Sequence, residues 1–156
     1  MDNQLLIIFG VHLACAFAML IIGSLVQVLI YPQFLHVGQG ERMSYARHHA
    51  RRISYIVGPI LLIEAFSWIA ILFSPLPVGL LPIISTITLV SIWGLTFAII
   101  VPLHHHIQQH GKDHDIKRLI YYNGIRTFLW ALRFWVLIML LRDTFIPILN
   151  TLITAI

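Results

Sequence analysis

Apolar and polar positions along this chain are segregated into blocks. Four apolar runs, at 5–31, 52–73, 81–103 and 119–141, alternate with shorter segments that hold most of the basic residues and histidines. Each run supplies at least the ~20 residues a helix needs to cross a bilayer core, and the longer first run can tilt or project. Lipid offers backbone groups no partners, so such runs satisfy them internally as helices. The pattern predicts an all-α fold: an integral membrane four-helix bundle forming one domain over 1–156. Pro32 stops the first run, the Pro75-Leu76-Pro77 turn ends the second, and Arg142-Asp143 ends the fourth. The apolar stretch 144–156 is too short to span and is broken by Pro147, so it is expected in the interface or against a partner subunit.

Composition agrees with the pattern and narrows the class. Hydrophobic residues make up 59% and charged residues 10%, and mean hydropathy is +0.89; soluble domains carry about 25% charged residues. No soluble domain is expected beside the bundle. The first run is too long for a signal h-region and no basic region precedes it, so it is expected to remain as the first span. The single cysteine, Cys15, excludes an intramolecular disulfide and a cysteine-based metal site within one chain.

The net charge of +4 is unevenly placed. The first connection has Arg42, Arg47, Arg51 and Arg52, the third has Lys112, Lys117 and Arg118, and the second has none. The positive-inside tendency then puts the first and third connections in the cytoplasm, with both termini periplasmic in a bacterial inner membrane. The charge is accounted for by membrane anchoring, and no nucleic-acid partner is expected.

Glu64, Arg126 and Arg133 fall inside the apolar runs. A charge at the middle of a spanning helix costs roughly 2.5–3.5 kcal/mol on insertion scales, so such residues face a partner, a cavity or a ligand. On the fourth run Asn123, Arg126, Trp130, Arg133 and Leu137 follow i, i+3, i+7, i+10, i+14 and share one helical face. On the first, His12, Ala16, Met19, Gly23 and Gln27 share a face whose small residues permit close approach. Tyr45, His49, Arg52 and Ile56 align if the second helix begins upstream of the membrane. Glu64 is roughly 90° off that line, and Pro59 can alter the offset.

At a rise of about 1.5 Å per residue, Glu64, Arg133 and His12 reach similar depth, with Arg126 nearer the basic end. Two readings of the charges stand: an ion pair that fixes helix register, or a site in which Glu64, Arg126 and Arg133 do chemistry. One glutamate cannot neutralise two arginines, so an anionic group from a ligand is a natural second partner.

Eight of the nine histidines gather at the basic end: His36, His48, His49, His104, His105, His106, His110 and His114. Imidazole is a common metal ligand, and His106 with His110 has i, i+4 spacing. A metal set of His49, His104, His106 and His110 is one reading; a histidine-rich interfacial segment touching lipid phosphates is the other. His12, facing Ala16 and Gly23, is either a hydrogen-bonded core residue or an axial heme ligand. A cofactor or ligand between the helices would draw on His12, His49, Arg52, His104, Asn123, Arg126 and Trp130. Heme, a non-heme transition metal and a cofactor-free site all remain compatible.

The stretches Val101-Pro102-Leu103-His104, Asn123-Gly124-Ile125-Arg126-Thr127 and Trp130-Ala131-Leu132-Arg133 resemble the third and fourth helices of small bacterial four-helix membrane proteins related to the anthrone-oxygenase-like family. Tyr31-Pro32 and the His49, Arg52, Pro59, Glu64 stretch resemble its first two helices, so the resemblance covers about 5–141. It implies oxygenation of polycyclic phenols without a cofactor. Anthrone-type members more often carry Asn at the position of His104. His12 leading into a small-residue helix with a Tyr-Pro ending is also similar to four-helix heme membrane proteins of the copper-resistance type.

The expected function is a membrane-embedded oxidoreductase or oxygenase-like protein acting on an apolar, quinone- or phenol-like substrate. In it Arg126 and Arg133 stabilise a developing oxyanion, and Glu64 or a histidine takes the proton. The alternative is a non-catalytic heme-, metal-, quinone- or lipid-binding subunit. A small proton-coupled transporter ranks third, because no paired broken-helix pattern is present. Expected partners are membrane lipid, a small apolar or anionic ligand, and a second copy or a partner membrane subunit.

Overall fold

The computed structural model describes residues 3–74 and 79–146. Within them four helices are long and apolar enough to cross a membrane: α1 (Gln4–Gln33), α2 (Gln39–Leu72), α3 (Leu80–His110) and α4 (Asp113–Asp143). They run alternately up and down, with α1 packed on α2 and α4, α4 packed on α3, and α2 closing on the last ten residues of α3. The four-helix membrane architecture read from the apolar runs is the one observed. The tail from Pro147 onward lies outside the described residues.

The helices are longer than the apolar runs. α2 begins thirteen residues before Arg52, and α3 continues through all three consecutive histidines to His110. Hydropathy marks only the stretch that lipid surrounds; beyond it the same helix continues with a polar surface. The first and third connections shrink accordingly to a few residues each. Gly111 ends α3 in the left-handed conformation (φ 61°), its N–H donating to the Ile107 carbonyl at 2.9 Å.

Arg42 ties these two connections together. Expected from the sequence as an anchoring charge at the membrane surface, it is instead buried (4% exposed). Its guanidinium donates to the carbonyls of Leu35 (3.2 Å), Val37 (3.3 Å) and Gly111 (2.9 Å), and pairs with the Asp113 carboxylate. Five donors in a rigid fork allow one side chain to satisfy so many acceptors.

Two π-helical turns shape the interior. Val26–Ile30 precedes Tyr31-Pro32, and Thr96–Ile100 precedes Val101-Pro102. Proline has no N–H and its ring clashes with the carbonyl four residues earlier. Widening the turn removes that clash without ending the helix, and the Tyr31 and Val101 N–H groups reach back five residues to Val26 and Thr96. Tyr31 and His104 therefore sit just past two such turns.

The interior holds two apolar clusters stacked along the bundle. One includes Phe9, Met19, Trp68, Ile92, Trp130 and Leu137; the other, at the basic end, includes Val26, Phe34, Ile100, Ile107, Ile116 and Leu119. Outward positions are apolar as well, among them Val28, Phe66, Val90 and Phe128. In lipid, apolar burial gives helices little reason to associate, so close packing and interhelical polar bonds must hold them. Gly23 shows the first: a Cβ there would lie 3.2 Å from Thr127 Oγ1, so α1 and α4 approach closely because this side chain is absent.

Candidate functional site

The polar residues of the interior form two layers, each built from all four helices. The deeper layer takes His12 from α1, Glu64 and Ser67 from α2, Ser85 from α3 and Arg133 from α4. His12, Glu64, Ser85 and Arg133 are all 0% exposed. Arg133 Nε donates to Glu64 Oε1 at 2.6 Å, Nη1 donates to the Ser85 carbonyl and to Ser85 Oγ (2.9 Å), and Nη2 donates to His12 Nε2 at 3.1 Å. A guanidinium only donates, so His12 Nε2 accepts and the ring proton sits on Nδ1. From Nδ1 it reaches Ser67 Oγ (2.9 Å) and the Glu64 carbonyl (3.1 Å).

Trp68 covers this layer. Its ring stacks on His12 with centroids 5.1 Å apart, and Arg133 Cζ lies 5.1 Å from the Trp68 centroid. One anion meets one cation, and the one buried side-chain polar atom of this layer without a partner is an acceptor, Glu64 Oε2. The spacing that placed His12, Glu64 and Arg133 at one depth is thus realised as direct contact. Glu64 does not bridge two arginines: it bonds Arg133 alone. With both nitrogens of His12 engaged, this ring has no lone pair to offer a heme iron in this arrangement.

The second layer lies nearer the basic end, about 10 Å along α4 from Arg133. It takes Gln27 and Tyr31 from α1, His49 from α2, His104 from α3, and Asn123 and Arg126 from α4. Tyr31 Oη and His104 Nε2 are 2.8 Å apart. The His49 and His104 rings stack with centroids 6.2 Å apart, and Phe34 and Tyr31 meet His49 edge-on. Asn123 Nδ2 donates to Gln27 Oε1 at 2.7 Å, and Arg126 Nη2 donates to Asn123 Oδ1 at 2.6 Å. The Arg126 guanidinium lies beside the Tyr31 phenol.

This layer is not closed. Among the described residues Arg126 has no carboxylate partner. His49 Nε2, His104 Nδ1 and Arg126 Nε are buried without a hydrogen-bond partner, as are the indole N–H groups of Trp93 and Trp130. Leaving a buried donor or acceptor unmade costs about 1–3 kcal/mol, more when charged, so several together mark a place that a further polar group completes. The cation surplus expected from the sequence is therefore located: Arg133 is neutralised and Arg126 is not.

The proposed residue sets divide between places. Glu64 and Arg133 belong to the closed layer, and Arg126, His49, His104 and Asn123 to the open one. Trp130, fully buried, stands on α4 between the two arginines. Arg52 is exposed on α2 and outside both layers. The four histidines proposed as a metal set do not converge. Residues two apart on a helix point about 200° apart, so His104 faces inward while His106 pairs with Asp115 (3.2 Å) and stacks on His110 (4.6 Å). Among the described residues no three His, Cys, Asp or Glu side chains are close enough together to hold a metal ion.

Sequence reasoning missed Ser67, Ser85 and Trp68 as members of the closed layer, and Tyr31 as the partner of His104. Serine and tryptophan in an apolar run give no signal, because either can simply pack. Tyr31 carried one: its place immediately before Pro32 matches that of Val101 before Pro102, three residues short of His104.

Comparison with protein-family models, with curated proteins and with solved structures finds no match to this chain.

Proposed function

We propose that this protein is a membrane-embedded oxidoreductase of the oxygenase-like kind that binds an apolar phenol- or quinone-type ring in the open polar layer. One observation carries the reading: the Arg126 guanidinium is held inside the bundle without a carboxylate, among further unpartnered ring nitrogens. A phenol or quinone brings an apolar body that lipid can deliver and an oxygen that accepts from a cation. The resemblance of the third and fourth helices to the anthrone-oxygenase-like family supports the same substrate class.

The residues suit a proton-transfer step. Arg126 donates to the substrate oxygen, stabilising it as an oxyanion in a dry site where fixed charge acts strongly. His49, with a buried and unpartnered Nε2, takes the proton as the substrate O–H or C–H bond breaks. The Tyr31–His104 hydrogen bond joins α1 to α3 beside Arg126. Dioxygen dissolved in the bilayer is the oxidant: a ring CH2 loses two hydrogens and gains one oxygen atom as C=O, and the second oxygen leaves as water. The closed Glu64–Arg133 layer fixes helix register and takes no part in this step. The basic ends of the helices lie in the cytoplasm and both termini in the periplasm of a bacterial inner membrane, following the Lys and Arg distribution.

Titration of the protein in lipid nanodiscs with menadione tests the binding. Saturable quenching of tryptophan emission is expected, weakened about tenfold or more by Arg126→Gln, equivalent to about 1.4 kcal/mol. Dioxygen uptake with anthrone as substrate tests the reaction. Equal affinity in wild type and Arg126→Gln overturns the site; binding without dioxygen uptake leaves a ligand-binding subunit.

A further inference from the structure

A second place on the molecule is built for an anion. Between α2 and α3 at the basic end lies a cleft of about 590 Å³, lined by Arg47, His48 and Arg51 on one wall and His104, His105 and Gln108 on the other, with Ile53 and Val101 at its apolar side. No Asp or Glu lines it. Arg47 Nη1 donates to the Gln108 carbonyl at 3.3 Å, so its side chain is drawn across from α2 to α3 and its remaining N–H groups are left for another acceptor. Arg51, one turn further along the same face, has no hydrogen-bond or ion-pair partner among the described residues.

The level of the cleft identifies its surroundings. Tyr55, 74% exposed, lies one turn deeper than Arg51 on α2, and Tyr121, 66% exposed, lies one turn deeper than Lys117 on α4. Outward tyrosines with basic residues just beyond them mark the height of the headgroups. Arg47 and Arg51 are therefore on the aqueous side of the tyrosine level, where lipid phosphates are found. Below them Ile53, Ile56 and Val101 continue as apolar surface for an acyl chain.

We propose that this cleft binds the phosphate of an anionic membrane lipid, held by Arg47 and Arg51, with the glycerol portion between α2 and α3. Two arginines about one turn apart can each donate a fork of N–H groups to phosphate oxygens. A headgroup seated there would close the seam that α2 makes with only the last part of α3, beside His104 of the open layer. The lipid assignment rests on Arg47 and Arg51 and not on the substrate reading given above, although His104 borders both places.

The test uses the full chain reconstituted in nanodiscs of phosphatidylcholine with or without phosphatidylglycerol, with retained lipids counted by native mass spectrometry. Phosphatidylglycerol is expected to be retained about tenfold over phosphatidylcholine. The double variant Arg47→Gln, Arg51→Gln should reduce that preference to about twofold or less, while Lys112→Gln, Lys117→Gln, which removes the same charge elsewhere, should preserve it. Helical content and melting temperature confirm that each variant is folded. Equal losses in both double variants, or no preference for phosphatidylglycerol, overturn the site in favour of diffuse surface attraction. In a parallel arm, protein in detergent that retains phosphatidylglycerol is titrated with inorganic phosphate; displacement of the lipid at millimolar phosphate overturns the lipid assignment and makes the ligand a soluble anion.

Discussion

Removing the carboxylate of Glu64 should show whether the deep layer is an ion pair that holds the bundle. Glu64→Gln keeps the side-chain volume and still offers one oxygen to Arg133 Nε, but leaves a guanidinium that is 0% exposed without a counter-charge. Breaking a buried pair from one side costs about 3–5 kcal/mol, because the remaining charge is stranded. Arg133→Met should cost a similar amount, since it also strips Ser85 and His12 Nε2 of their donor. The double variant removes both charges and should fall well short of the sum, with a coupling of about 2–3 kcal/mol. The size of the coupling discriminates: interhelical hydrogen bonds in membranes average about 0.6 kcal/mol, so an ion pair must exceed that clearly. Unfolding in mixed micelles, followed by tryptophan emission across the four-member cycle, gives the number. Additive effects, or a coupling no larger than an ordinary hydrogen bond, would refute the assignment of register to this pair.

Other outcomes follow from the same geometry. Arg126→Leu should cost no more than about 1–3 kcal/mol, less than its neighbour on the stripe, because it strands the Asn123 Oδ1 acceptor but no carboxylate; the same unfolding assay compares them. Arg42→Ala should cost about 2–4 kcal/mol by leaving three backbone carbonyls and Asp113 without their donor, and Arg42→Lys should recover little, since one ammonium cannot span that set. Gly111→Ala should cost about 1–2 kcal/mol in melting experiments, because its φ of 61° is unfavourable for a residue with a Cβ. Single cysteines placed in the α1–α2 and α3–α4 connections of a Cys15→Ser background should react with an impermeant thiol reagent only in inverted vesicles; labelling in intact spheroplasts reverses the orientation.

The sequence by itself determined the class, the number of spans and the inward faces of the first and fourth helices, whereas on α2 the aligned Tyr45, Arg52 and Ile56 are exposed. Run length against bilayer thickness decides the first two, and helical spacing decides the third: Asn123, Trp130, Arg133 and Leu137 share one face and all are buried. Even the meeting of His12, Glu64 and Arg133 could be estimated from rise per residue, because spanning helices are nearly parallel and depth is then a coordinate. Only the tertiary structure decided which cation the glutamate neutralises. Arg126 and Arg133 are equivalent along the stripe, and the choice depends on how α2 and α4 rotate and slide against each other, which residue spacing within one helix does not contain. The same holds for Arg42, whose partners come from two connections brought together by helix packing, and for Tyr31 and His104, aimed at each other by proline-induced wide turns in two helices. The histidines show the limit most plainly. Their clustering in sequence suggested a metal set, but alternate positions on a continuous helix face opposite ways, and the length of α3 through His104, His105 and His106 was set by packing and by the Gly111 cap, beyond the reach of the hydropathy that ended the run at Leu103.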